Sequence, residues 1–505
     1  METDDRNPEL ETGNPLGPEE RRKADAGNAV RYYADVHLAM AKRQWEQEQS
    51  RWSGQEDAIR QALGYVYQAL SETSAEGGLC VTLQAVADIT EVSLAEAEAA
   101  VDLLLESHLM QEQKDAEAGN VPLVYDPEQD DAAASRIYFK RYWQMEKRLA
   151  GLLVSLAREA RAEDASFGKL DSLLPKRNGS SDPDAERREA VKNTLTKRLS
   201  IISGGPGTGK TTAVATVLEC LLSSDESIRI VLAAPTGKAA GRMLESIRGS
   251  IHDGKNQGLF PLLGKKEPEL VAHTMHKWLT DPQSNGLRPS AGKPLDCDVL
   301  VVDEASMIDI ELAVRFLSVI DPSRTRVILL GDPNQLAAVG PGSILADICD
   351  DGCLLKEGHV SELTTSYRFP EDSPLGMMAE NIKNGDDSIP DWENGLYNRI
   401  GKAFSSDGLQ KGALSLPARE WLDGQLRKYA RAVKSYLENP QDVSGLWESA
   451  KRFQALAAVR HGKMSVEAIN SYAEKKLKEE FEALKLEMPY PGSGQLIIVR
   501  KNSSV

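Results

Sequence analysis

The 505-residue sequence has no apolar run long enough to cross a bilayer. Its start, METDDRNPELETGNPLGPEE, has neither the basic opening nor the apolar stretch of a secretory signal. A cytoplasmic protein without a membrane span is expected. Cysteine is sparse: Cys80, Cys220, Cys297, Cys349 and Cys353 are five scattered residues, which excludes a disulfide framework. Cys349 and Cys353 can meet on one helix, yet no His or Cys pair lies nearby at a zinc spacing, so structural cysteines are expected. Positive charge is also lacking, with 60 Lys and Arg against 77 Asp and Glu and a net charge of −17. That argues against coating nucleic acid by bulk electrostatics, but leaves room for a local basic groove. No internal repeat stands out.

What is present is an ordinary globular composition, 41% hydrophobic and 27% charged, long enough for several domains. Residues 1–28 are acidic and poor in apolar residues, and read as a disordered tail. From 29 to 115 the apolar spacing is helical, in AIRQALGYVYQAL and SLAEAEAAVDLLLESHLM, with Ser93 or a neighbour capping the second helix. Residues 116–180 read as a connecting segment of short strand, loop and long helix, ending in the break PKRNGSSDPD. After it RLSIIS, IRIVLAA, DVLVVD and TRVILLG alternate with helical stretches, the pattern of a covered parallel sheet. From about Pro370 the pattern is less regular; FQALAAV reads as the possible start of a second sheet.

The chemistry-bearing residues stand where these strands end. GGPGTGKT, Gly204 to Thr211, is a complete P-loop pattern placed after a strand and before a helix. Gly204, Gly205, Pro206, Gly207, Thr208, Gly209, Lys210, Thr211 and Thr212 would wrap the phosphates of ATP in backbone N–H groups. Lys210 would reach the β- and γ-phosphates and the Thr211 hydroxyl would hold Mg²⁺. DVLVVDEAS delivers Asp303 and Glu304 to a strand end, Asp303 for the Mg²⁺ and Glu304 for the attacking water; an acidic turn or helix cap is the plainer reading. ILLGDPNQL ends another strand at Asp332 and Gln335, where Gln335 can sense the γ-phosphate or simply serve a turn.

GGPGTGKTT, AAPTGKAAGRM, VVDEAS, GDPNQL and TTSYRF occur in the order of motifs I, Ia, II, III and IV of superfamily 1 helicases. In detailed wording the chain resembles the RecD family, the alpha subunits of exodeoxyribonuclease V, also through RIYFKRYWQMEKRLA, AHTMHKWL and LLGDPNQLAAVGPGSILADI. The resemblance implies an α/β architecture: a RecA-like P-loop NTPase domain over 181–370 with a parallel sheet. A small N-terminal helical domain for subunit interaction precedes it, and a partial second RecA-like domain spans 371–505. It implies an ATP- and Mg²⁺-dependent 5′ to 3′ DNA helicase subunit of a RecBCD-type complex. Its partners would be single-stranded DNA at double-strand ends and the beta and gamma subunits, and its task double-strand-break repair and recombination. Arg368 of SYRF would contact the γ-phosphate, and Thr236, Lys238 and His276 would line the DNA path. Lys238 also reads as a solvated helix charge, and His276 as a satisfied half-buried histidine.

Three features depart from the family pattern. The glutamine that recognises adenine upstream of the P-loop is replaced by Arg187 or a neighbour, which can stack on a base but cannot copy an amide's donor–acceptor pair. Motifs V and VI would fall after Val505. No nuclease constellation of paired acidic residues and lysine is visible, so exonuclease activity would belong to the complex. A truncated, non-catalytic nucleotide-binding subunit is the second expectation. A stand-alone RecD-like helicase is the third, weakened because no helix-hairpin-helix glycines occur before Arg158.

Overall fold

The computed structural model describes residues 54–385, except 118–120, 159–163, 175–183, 253–258, 281–287, 291, 337, 339, 368–372, 374–375, 378–379 and 382–383. It also describes 416–486, except 441–442, 453–454, 456, 458–459 and 461–464. The expected tail at 1–28 and the stretch YPGSGQLIIVRKNSSV lie outside these, as does most of FQALAAV. The chain forms two compact units, Met1–Gly376 and Met377–Val505.

In the first unit, α1 (Glu56–Ala75), α2 (Leu83–Thr90) and α3 (Leu94–Glu106) bury one apolar stripe each. In α1 that stripe includes Ile59, Leu63, Val66 and Leu70, the spacing of one helix face. Ser93 begins α3 with a capping box: Glu96 N–H donates to Ser93 Oγ at 3.3 Å, and Ser93 N–H donates to Glu96 Oε2 at 2.8 Å. The domain expected to be helical over 29–115 also contains a sheet. Strands β1 (Cys80–Thr82), β2 (Met110–Glu112), β3 (Leu123–Asp126) and β4 (Arg136–Phe139) pair in the order β1-β4-β3-β2. The expected boundary at 115 therefore cuts through one sheet, because three- and four-residue strands carry too little alternation to be read beside long helices.

Helix α4 (Lys140–Arg158) leaves β4 directly and buries Leu149 and Leu156 in the next domain's core. The segment expected at 116–180 to connect two domains is thus divided: β3 and β4 belong to the small N-terminal sheet, while the helix after them packs in the second domain. That domain is built on α5 (Asp164–Leu173), α6 (Ala185–Thr196), β5 (Leu199–Gly204), α7 (Lys210–Ser224), β6 (Ile230–Ala234), α8 (Gly237–His252) and α9 (Pro261–Lys266). It continues through β7 (Ala272–Thr274), α10 (Met275–Thr280), β8 (Val299–Val302), α11 (Ile310–Leu317), β9 (Arg326–Gly331), α12 (Ile344–Asp350), α13 (Gly352–Lys356) and β10 (Val360–Leu363). Six strands form one parallel sheet in the order β10-β5-β9-β8-β6-β7. Helices α4, α11 and α12 cover one face, and α5 to α9 the other. Alternate residues of β5 divide between the two cores, Leu199 and Ile201 on one side and Ile202 on the other.

The five cysteines are free. Cys349 is buried on α12 while Cys353 is exposed on α13, so the two do not share a helix. Among the described residues no helix is long and apolar enough to cross a membrane, and no cluster of three or more His, Cys, Asp or Glu has a metal-binding arrangement. In the second unit the described elements are α14 (Leu416–Glu438), α15 (Val443–Lys451) and α16 (Val466–Ala483). Helix α14 buries Leu422, Leu426, Ala430 and Val433. It is tied to α16 by Tyr472 Oη donating to Asp423 Oδ1 at 2.8 Å and by the Arg427–Glu480 ion pair at 3.3 Å.

One fully buried charge anchors α7, the helix that follows the P-loop. Glu219 accepts the N–H groups of Leu262 and Leu263 at 3.4 and 2.8 Å, at the start of α9, and pairs with Lys169 of α5 at 3.3 Å. Glu219→Ala leaves both donors and the cation without their acceptor, and is expected to cost about 3 kcal/mol. Urea unfolding checks this. Glu219→Gln should lose less, since an amide oxygen still accepts from Leu263; equal losses would mean that the charge paired with Lys169, and not the accepted hydrogen bond, is what matters.

Candidate nucleotide and nucleic-acid site

All six parallel strands end at the same edge of the sheet, the edge where open α/β sheets bind ligands. The P-loop leaves β5 there, Asp303 and Glu304 follow β8, and Asp332 and Gln335 follow β9. Thr236 and Lys238 follow β6, His276 follows β7, and Thr364 to Tyr367 follow β10. The sheet order therefore gathers Lys210, Asp303, Glu304 and Gln335 over β5, β9 and β8. The residues suggested for DNA lie over the neighbouring β6 and β7. Arg368 lies outside the described residues.

The P-loop backbone needs its glycines at two points. A Cβ on Gly204 would lie 2.5 Å from the Leu363 carbonyl oxygen, and Gly209 starts α7 at φ +87. Thr208 Oγ1 closes the loop on the Gly205 carbonyl at 2.9 Å. Lys210 Nζ donates to the carbonyls of Gly204 and, at 3.1 Å, Gly205. Burial pushes the Lys210 ammonium below the usual lysine range, against the opposing carboxylates of Asp332, Asp303 and Glu304. Those three acids surround one cation without forming a close ion pair with it among the described contacts. The Lys210 charge is thus held by carbonyl dipoles that a phosphate can replace.

The acids differ from one another. Asp303 extends the β8 ladder by donating its N–H to the Ala233 carbonyl at 3.0 Å, and its Oδ1 accepts the Glu304 N–H at 2.9 Å. Burial raises the Asp303 carboxyl above its ordinary value; that hydrogen bond and Lys210 oppose the rise, and the Glu304 charge adds to it. Glu304 holds a left-handed backbone, φ 54 and ψ 43, where a non-glycine residue is strained. Asp332 is buried, accepts the Asn334 N–H at 3.0 Å, and receives Gln335 Nε2 at 3.4 Å, so Gln335 is held to Asp332.

The segment after β10 lies on the P-loop. Ser366 Oγ donates to the Pro206 carbonyl at 3.1 Å, and Tyr367 N–H donates to the Gly207 carbonyl at 2.9 Å. Glu186 of α6 fixes it from the other side, accepting Thr364 N–H at 2.9 Å. The Arg187 guanidinium lies 5.0 Å from the centre of the half-exposed Tyr367 ring and against Gly209, and pairs with Asp184 at 3.0 Å. Glu186 and Tyr367 are contacts that sequence reasoning missed; the run TTSYRF drew attention to its arginine and not to the aromatic beside it.

Over β6 and β7, Thr236 Oγ1 accepts the Ala239 N–H at 3.2 Å and caps α8, while Lys238 and His276 are exposed. Thr236 thus has a structural task, and His276 is not half-buried. The His273 and Trp278 rings pack at 5.1 Å, with Trp278 Nε1 donating to the Leu232 carbonyl at 2.9 Å.

The raised Asp303 carboxyl carries a pH signature. Its proton is held more tightly in the folded state than in the unfolded one, so its contribution to stability is greatest at acid pH. That contribution is lost as pH rises through the folded value. At pH 7 the ionised group is a net cost. Asp303→Asn should raise the melting temperature at pH 7 without nucleotide, and the gain should shrink towards about pH 4, near the ordinary aspartate value. A gain independent of pH would contradict this.

A family model described as an AAA domain matches residues 187–341. The RecBCD enzyme subunit RecD of Mycolicibacterium smegmatis is 37% identical over 255 residues, covering 47% of this chain and 44% of that protein. RecD of Buchnera aphidicola subsp. Acyrthosiphon pisum is 34% identical over 379 residues, covering 68% and 59%. The ATP-dependent RecD2 DNA helicase of Deinococcus radiodurans is 31% identical over 274 residues, covering 53% and 33%. The chain spans about half the length of the RecD subunits it matches. Sheet topology, P-loop and relatives agree: the chain is a homologue of RecD subunits, with a RecA-like P-loop domain of the superfamily 1 helicase type at its centre.

Proposed function

We propose that this chain is the ATP-hydrolysing subunit of a DNA translocase, acting 5′ to 3′ in a RecBCD-type complex during double-strand-break repair and recombination. The observation that carries the reading is Lys210, a desolvated cation held by the Gly204 and Gly205 carbonyls among three carboxylates. A triphosphate offers that ammonium a stronger acceptor than a carbonyl, and the N–H groups opening α7 add theirs. The names of the relatives support the DNA and partner assignments.

Hard oxygen donors at Thr211 and Asp303 fit a magnesium ion in their chemistry, since such an ion takes one or two protein oxygens and completes its shell with phosphate and water. Bound there, Mg²⁺ would neutralise charge on the β- and γ-phosphates. Glu304 would orient the attacking water and accept its proton. Gln335, released from Asp332, can reach the γ-phosphate and report its loss to the neighbouring strands. Lys238 and His276, exposed beyond β6 and β7, would hold the phosphate backbone of single-stranded DNA without reading sequence. Arg368 would add positive charge as phosphoryl transfer proceeds.

The Arg187–Tyr367 stack at the loop's mouth provides planar faces for a base. It takes the place of the amide that would pair with adenine, so selectivity for ATP over GTP should be weak. Tyr367→Ala is expected to raise the KM for ATP about 10-fold, equivalent to one good stacking contact. An unchanged KM would remove the base from this stack.

Hydrolysis is tested by measuring ATPase activity with and without single-stranded DNA, for the natural chain and for Lys210→Ala. Stimulation is expected in the former, and a loss of at least about 100-fold in the latter, the scale of removing one preorganised charge contact. Equal rates would overturn the assignment. ATP binding without stimulated hydrolysis would favour the non-catalytic subunit. Co-purification with beta and gamma subunits tests the partnership.

A further inference from the structure

The turn that carries Glu304 has an unused group. Ser306, two residues on, is 8% exposed, and its hydroxyl is buried without a hydrogen-bond partner. A buried hydroxyl left unpaired costs roughly 1–3 kcal/mol, so it calls for a reason. The turn's backbone is satisfied: Met307 N–H reaches the Glu304 carbonyl at 3.1 Å, and Ile308 N–H the Ala305 carbonyl at 3.2 Å. The side-chain hydroxyl is what remains.

Two independent features leave this turn room to shift. Glu304 is in the left-handed region at φ 54, a strain that a small shift of the turn relieves. Beneath it lies an apolar cavity of about 30 Å³, lined in part by Ala305 and Ile308 of the turn and by Val302, Leu329 and Leu345. The turn therefore rests on yielding packing.

Its neighbour is the end of β9. A Cβ on Gly331 would lie 3.2 Å from Ser306 N and 3.3 Å from Ala305 N, so the Glu304 turn and the strand that leads to Asp332 touch backbone to backbone at Gly331. Asp332 in turn holds Gln335.

We propose that Ser306 is a positioning residue for Glu304, its hydroxyl pairing with the Gly331–Asp332 end of β9 when nucleotide draws the two strand ends together. The hydrogen bond made only in that arrangement holds Glu304 at the attacking water and ties its position to Asp332, and so to Gln335. Strain and the unpaired hydroxyl raise the free energy of the arrangement described here, which lowers the cost of leaving it. This rests on the ATP-hydrolysing reading above, and adds to it the group that couples the two strand ends.

The test uses the full chain with Ser306→Ala and Ser306→Cys, the second keeping the size but little hydrogen bonding. Both should keep the KM for ATP within about twofold and lower DNA-stimulated kcat about 10-fold, as expected for a bond made on the way to the transition state. Without nucleotide both should melt at or above the natural chain's temperature. The rise in melting temperature on adding Mg²⁺ and a slowly hydrolysed ATP analogue should be smaller than for the natural chain. An unchanged kcat together with an unchanged ligand-induced rise would overturn the proposal. So would a kcat loss with lower stability in the absence of nucleotide, which marks a structural role, or full activity in Ser306→Cys, which marks size alone. If the natural chain hydrolyses no ATP, the broader reading fails; the ligand-induced rise in the variants then decides about Ser306 by itself.

Discussion

The nucleotide end of this protein depends on one close approach of two backbones. Strands β5 and β10 stay paired to their last residues, Gly204 opposite Leu363, and a side chain at 204 would collide with the Leu363 carbonyl. With no Cβ there, the P-loop can turn away from β5 while the chain after β10 runs directly over it. The bonds from Ser366 and Tyr367 to P-loop carbonyls follow from that geometry. So does the seat of Arg187, between Gly209 and the Tyr367 ring. The phosphate cradle and the wall beside it are one construction.

Electrostatics set the character of what is built there. Burial lowers Lys210 and raises Asp303, each towards its uncharged form. Under the proposed function, a phosphate beside Lys210 and a cation beside Asp303 would supply the opposing charges and return each group towards its ordinary ionisation. A site that is uncomfortable by itself and satisfied by its ligand gains discrimination from that difference.

Much of this was legible in the sequence, for physical reasons. β5, β6, β8 and β9 are central strands buried on both faces, and the apolar runs that form them cannot be mistaken for surface. Their polar ends marked the P-loop, Asp303 and Glu304, and Gln335. The edge strands were not legible: β7 is three residues long, β10 is half-exposed VSEL, and neither carries a pattern. The small N-terminal sheet was hidden for the same reason, and with it the true extent of that domain. Glu186 and Tyr367 were missed because their contacts join positions about 180 residues apart, which no local spacing encodes. Thr236, read for DNA, caps a helix, as a threonine before a helix commonly does.

The helix after the P-loop has a mechanical consequence. From Ala213 to Leu222 every residue of α7 is buried, so no side of it faces water. Close-packed interior of this kind is stiff. A push from the phosphates on the start of α7 cannot be absorbed by bending or by sliding of that helix, which Glu219 also pins to α5 and α9. The helix acts as an abutment. Motion driven at this site has to emerge elsewhere along the same rim, among the loops that leave β6, β8, β9 and β10.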